Sequence, residues 1–262
     1  ADITDNPGPD GTFGTADDGP VAVVNGTGPA GGSSDVALSG NNTYTGGTYM
    51  NGDNAGIYAN SSAAFGTGDV YFNGQNVSLG GNSTIPNDLY VNADTRIGVG
   101  LNLNGDVYLA NDSTLSLIGQ GSCAWNSTIS GDGGLFISKR NGYFDIGGMS
   151  ANTFTGDTLV ESERENDYMG PGLRLTKPDG VVAISGNLIL GEVGNQNLES
   201  ATLLSDEQIA DTSDVSFTVG TGTDITGAGD AGVLNLNGHN ETIGSLTSTG
   251  ADGVVRNSSG TD

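Results

Sequence analysis

Only seven of the 262 residues are Lys or Arg, against 31 Asp and Glu, giving a formal net charge of −24. Such a chain excludes a nucleic-acid-binding surface and adhesion to anionic lipid, both of which need clustered cations. There is one cysteine, Cys123, so no internal disulfide braces the fold and cysteine usage leaves the redox compartment open. No apolar run reaches 18 residues, so no membrane-spanning helix is expected. No basic segment followed by an apolar stretch reads as a signal peptide; for an exported protein, Ala1 would follow a removed leader. Leu, Ile, Val and Phe make up about 22% of the chain, barely above the ~20% below which a highly charged chain is usually disordered. Any core must therefore be thin.

What the chain has in quantity is glycine, asparagine and aspartate. Of the 31 acids 24 are Asp, and all seven Glu lie at or after Glu161. Asp and Asn favour turns and left-handed backbone whereas Glu favours helix, so the first 160 residues read as turn-rich and helix-poor. Between the turns run short segments with apolar residues at i and i+2, the period of a half-buried strand. Examples are Asp69–Phe72, Asp88–Val91, Ile97–Leu103, Asp106–Leu109, Thr114–Leu117, Leu135–Ile137, Val215–Val219 and Leu234–Leu236. The nearest approach to a helical pattern is Leu198–Ala210, with room for one or two turns.

Strands this short and closely spaced fit a sandwich, a barrel or a solenoid. An internal repeat favours the last. Asn42-Thr43-Tyr44-Thr45-Gly46-Gly47-Thr48 realigns at an offset of 110 with Asn152-Thr153-Phe154-Thr155-Gly156-Asp157-Thr158, five of seven positions being identical. A solenoid also suits a thin core, since one residue in two points into a narrow interior, and asparagines at the corners can stack as hydrogen-bonded ladders. At ~20–25 residues per coil the chain makes about 10–13 coils and a rod about 50–60 Å long. The organisation expected is an Asp/Gly-rich segment over 1–35, a first solenoid repeat over 36–148 and a second over 149–262.

The phrase Leu38-Ser39-Gly40-Asn41-Asn42-Thr43-Tyr44-Thr45-Gly46-Gly47-Thr48 resembles the signature of the autotransporter-associated beta strand repeat. The copy at Ala151–Thr158 is similar without the Gly-Gly pair, and Val233–Leu246 resembles the family's strand, Asn-Gly turn and return strand. The resemblance implies a right-handed parallel β-helix on the surface of, or secreted by, a Gram-negative-type bacterium, with no catalytic residues to carry over. The C-terminal translocator barrel of autotransporters has no counterpart in this sequence.

Four residues of the N-terminal stretch are candidate calcium ligands. Set against an EF-hand loop, Asn6 falls at position 1, Asp10 at 5, Gly11 at the turn, Thr12 at 7 and Asp17 at 12. Gly8 at position 3 and Asp in place of Glu at position 12 leave the set incomplete, and a solvated Asp-Gly loop is the competing reading. Glu161, Glu163 and Glu165 alternate along one strand face, a spacing open to polysaccharide hydrolysis or to a solvated acidic edge that discourages lateral aggregation. Gly26-Thr27-Gly28-Pro29-Ala30-Gly31 matches a dinucleotide fingerprint in form, but no helix pattern follows it. His239, the one histidine, lies in a turn with no second soft ligand, and Cys123 reads as a small core filler.

Together these features predict an all-β, non-enzymatic extracellular structural protein that self-associates end to end into a homopolymer. The alternatives are an adhesin that binds surface glycans and, behind it, a polysaccharide lyase or hydrolase.

Overall fold

The computed structural model describes residues 2–7, 9, 11–12, 20–25, 35–98, 100–162, 172–191, 200–218, 232–249 and 253–258. Among the described residues 24 strands, all paired in parallel, fall into three sheets of six, ten and eight strands. A complete coil visits the three in one order. Val107–Leu109 lies in the first sheet, Thr114–Gln120 in the second and Cys123–Trp125 in the third, and the chain then returns to the first at Ile129–Gly131. The protein is a parallel β-helix, and the ten strands of the second sheet mark ten coils among the described residues.

Alternation fills the interior. Along the second sheet Ile57, Leu79, Ile97, Leu117, Ile137, Val160, Leu190 and Phe217 stack in register as one inward column, all of them buried. The residues between them face outward. Coil length varies from 18 residues, Leu79 to its partner Ile97, to 33, Ala201 to its partner Leu234. The longer coils come late in the chain. There the segments 163–171, 192–199 and 219–231, all outside the described residues, separate a strand of the second sheet from the next strand of the third.

Three expectations change in detail. Ile97–Leu103 is two strands rather than one, because the chain turns a corner at Gly100 (φ 100°) and passes from the second sheet to the third. In Leu198–Ala210 the described part is not helical. Ser200–Leu203 is a strand held between Gly172–Leu175 and Val233–Asn235, with Ala201 and Leu203 inward, so period-2 burial overrides the local helical preference. The two copies of the repeat also occupy different sides of the coil. Asn42–Thr45 precedes the first-sheet strand Thr48–Met50, whereas Asn152–Thr155 precedes the second-sheet strand Thr158–Ser162. The motif is thus a corner module that can be placed at either edge. The second and third sheets run without a break past residue 149.

At both corners the asparagine is wired identically. Asn42 Oδ1 accepts from Ile3 N–H of the rung before (2.8 Å), and its Nδ2 donates to Ala64 O of the rung after (2.7 Å). Asn152 Oδ1 accepts from Ile129 N–H (2.9 Å) and its Nδ2 donates to Ala183 O (2.7 Å). Both side chains are buried, where the backbone groups they satisfy have no water to turn to. Gly46 and Gly156 share a second constraint. A Cβ on Gly46 would lie 2.7 Å from Val21 O, and one on Gly156 would lie 2.4 Å from Gly133 O.

Candidate functional site: the tyrosine face and the open terminal coil

The N-terminal candidates are only partly placed. Asn6 and Thr12 are described, while Asp10 and Asp17 lie outside the described residues. Among the described residues no group of three or more His, Cys, Asp and Glu is poised for a metal. The neighbouring acids fasten backbone instead. Asp5 Oδ1 accepts from Val21 N–H and Thr45 N–H, both at 2.9 Å, and these bonds hold its carboxyl below the ordinary range. Asp2 Oδ1 accepts from Asn41 N–H at 3.1 Å.

Of the acidic row, Glu161 sits on the outer side of Thr158–Ser162, while Glu163 and Glu165 lie outside the described residues. The glycine run 26–31 lies outside them as well. Cys123 is buried and inward, beside Trp125, whose ring meets Phe144 edge-on at 4.7 Å. His239 is not isolated: its Nδ1 lies 3.0 Å from Asp206 Oδ1.

The exterior of the first sheet carries a pattern that the sequence reading did not anticipate. Tyr49, Tyr71, Tyr90 and Tyr108 occupy the central outward position of four successive strands. Their rings form a ladder, with centroids 4.7, 4.9 and 6.0 Å apart and interplanar angles opening from 4° to 17° to 45°. Ser130 follows Tyr108 in the column and ends it. Two residues after the first three tyrosines, Asn51, Asn73 and Asn92 form a parallel ladder, each later Nδ2 donating to the preceding Oδ1 at 2.7 Å. Two residues before the last three, Asp69, Asp88 and Asp106 form an acidic column, in which Asp88 Oδ1 accepts from Asp106 N–H and Asp106 Oδ1 from Thr128 N–H. The signal lies in the recurrence of apolar-Tyr-apolar at 71, 90 and 108, with Thr48-Tyr49-Met50 as its variant, visible once the varying coil length is known.

Lys177 was missed as well. It is fully buried, and its Nζ donates to Ser127 O (3.1 Å), Gly147 O (2.7 Å) and Ser150 O (2.8 Å). Burial pulls the ammonium down to about 8, opposed by the charge of Asp106. No pattern in the sequence marks one lysine as interior.

The last described coil differs from the others. Leu246 is in register with Val215, which is fully buried, yet Leu246 is 51% exposed. Val255, in register with buried Leu234, is 44% exposed. Among the described residues, Ser245–Ser248 and Val254–Arg256 each pair on one side only, with the preceding coil. Carboxylates hold this coil down. Glu241 accepts from Gln208 N–H (2.7 Å) and Ile209 N–H (3.2 Å), Glu207 accepts from Thr242 N–H (3.1 Å), and Asp206 accepts from Asn240 N–H (3.1 Å). Burial pushes the Glu241 carboxyl up to about 7 against the effect of its backbone donors, Gln208 and Ile209 foremost.

No protein-family model, curated protein or solved structure matches the chain. No helix among the described residues is long and apolar enough to cross a membrane.

Proposed function

We propose that this protein is a non-enzymatic structural component of an extracellular bacterial surface or matrix, a rod that lengthens when coil edges meet end to end. The observation that carries this reading is the exposure of inward-register apolar residues in the last described coil. Leu246 and Val255 continue two interior columns yet are half exposed, and among the described residues the strands that bear them pair along one edge only. Covering a side chain of this size is worth about 1.5–3 kcal/mol, and pairing the edge removes a template for disordered aggregation. At the opposite end Val23–Asn25 and Asp35–Leu38 also pair on one side only among the described residues, with Val36 half-buried above Ile57. Parallel strands of one copy therefore find parallel strands of the next in the same sense.

The acidic exterior supports the same reading. A net charge of −24 keeps rods apart side to side, while the inward-register positions of the last described coil, Leu246 and Val255, are apolar. The resemblance to the autotransporter-associated repeat supports the extracellular placement, with which the scarcity of lysine and cysteine is compatible. Sedimentation velocity over a concentration series tests the proposal. End-to-end growth gives a sedimentation coefficient that climbs with concentration and a frictional ratio that climbs with it. A single monomeric species at high concentration contradicts it.

A further inference from the structure

The tyrosine face ends on a side chain that is only loosely stacked, and elsewhere the molecule shows what such a side chain can hold. On the outer side of the third sheet, Tyr143 and Asp145 stand two residues apart on one strand. Arg174, in register with Asp145 in the next coil, lays its guanidinium over the Tyr143 ring at 4.3 Å. It also gives a two-pronged bond to Asp145, Nε to Oδ1 and Nη2 to Oδ2, both 2.6 Å. An aromatic ring and a carboxylate about 6.6 Å apart along a parallel strand thus grip one guanidinium by its face and its edge.

The first sheet repeats this pairing without an arginine. Asp106, just before the strand Val107–Leu109, and Tyr108, at its centre, are also two residues apart, with the acid preceding the ring instead of following it, and both are exposed. The positions above them in the next coil are Thr128 and Ser130, too short to cover the ring. Tyr108 is 45% exposed, and its ring is tilted 45° away from Tyr90 rather than stacked flat. Asp106 commits Oδ1 to Thr128 N–H and lines an open groove of about 580 Å³ with Asn126, Thr128, Met149 and Ser150. Lys177, whose ammonium senses the charge of Asp106, is buried with its Nζ on three carbonyls and does not cover the Tyr108 ring.

We infer that Tyr108 and Asp106 form a docking site for an arginine side chain of a basic polypeptide partner. The guanidinium stacks on the open face of the ladder and pairs with the carboxylate, as Arg174 does within the chain. Charge favours that occupant. With 31 acids against seven cations the chain attracts basic partners over its whole surface, and the ring adds a preference for arginine over lysine that charge alone does not give. This goes beyond the structural reading and does not depend on it, because the site is on the side of the rod.

The test is fluorescence-anisotropy titration of the intact chain with two labelled peptides of equal length and charge, one bearing arginines and one lysines, at low and moderate salt. The expected result is tighter binding of the arginine peptide by about fivefold or more. Tyr108→Ala and Asp106→Asn each weaken it by a similar factor. Tyr108→Phe, which keeps the ring face, binds like the parent. Asp211→Asn, the same loss of charge at an exposed turn elsewhere, changes binding little, and circular dichroism verifies that each variant keeps its fold. Equal affinity for the two peptides, equal loss with Asp211→Asn, or no binding of either overturns the inference. So does binding of a neutral oligosaccharide in a parallel arm that depends on Tyr108 while the peptide does not.

Discussion

The phenol of Tyr44 hydrogen-bonds the hydroxyl of Thr48 at 2.5 Å, both residues being fully buried. The second copy of the corner module lacks this bond. Phe154 stands where Tyr44 does, and the buried Thr158 Oγ1 is left without a partner among the described residues. Phe154→Tyr should restore it and raise stability by about 0.5–1.5 kcal/mol. Tyr44→Phe should cost at least as much, since it orphans Thr48. Urea unfolding of the two variants against the parent checks both signs.

The corner asparagines should matter more. Asn152→Ala removes the acceptor for Ile129 N–H and the donor to Ala183 O together, inside a region with no solvent. Each orphaned group costs about 1–3 kcal/mol. Asn42→Ala should behave alike because its wiring is the same. By contrast Asn73→Ala, which breaks an exposed rung of the outer ladder, should shift the urea midpoint only slightly.

Lys177 should leave a mark on the alkaline limb of the stability profile. Its ammonium titrates near 8 in the folded protein and near 10.5 when exposed, so between those values the unfolded chain binds more protons. Stability should therefore rise from pH 8 to pH 10.5, by an amount on the order of 3 kcal/mol. Lys177→Met, which keeps the volume and removes the charge, should flatten that limb. Chemical denaturation at pH 7.5, 9 and 10.5 is the measurement.

Glu241 predicts the opposite slope at lower pH. Its carboxyl titrates near 4.5 when unfolded and about 7 in the fold, so the folded state holds the proton longer. Its contribution is full below pH 4.5 and is lost as pH rises through about 7. Glu241→Gln should reduce this dependence. Melting temperatures of parent and variant at pH 4.5, 6 and 8 should diverge most between the first and last values.

Much of the fold is legible in the sequence because a narrow solenoid writes its inward residues at every second position. Val70, Phe72, Leu89, Val91, Val107 and Leu109 all read as interior from alternation alone, and all are buried. Corners are harder to read. The run Ile97–Leu103 alternates straight through a turn, because Leu101 and Leu103 face the same interior from another sheet. The 110-residue offset joins two corner modules that sit on different sides of the coil, since the hydrogen bonds that select Asn-Thr-aromatic-Thr-Gly are local to a corner and indifferent to which sheet follows. The tyrosine face was hidden by coil length, which changes from 22 residues between Tyr49 and Tyr71 to 18 between Tyr90 and Tyr108. A fixed-period search blurs such a column, and only the backbone register restores it.

The most direct test of the structural proposal compares the parent with Leu246→Asp by negative-stain electron microscopy and sedimentation at matched high concentration. Leu204→Asp serves as control, because Leu204 is also exposed but continues no open edge. A carboxylate at Leu246 would meet an apolar column and the acidic surface of the next copy, so it should block addition while sparing the coils below. The account predicts rods several coil-stacks long for the parent and the control, and short single particles for Leu246→Asp. Rods of equal length in all three, or single particles in all three, would contradict it.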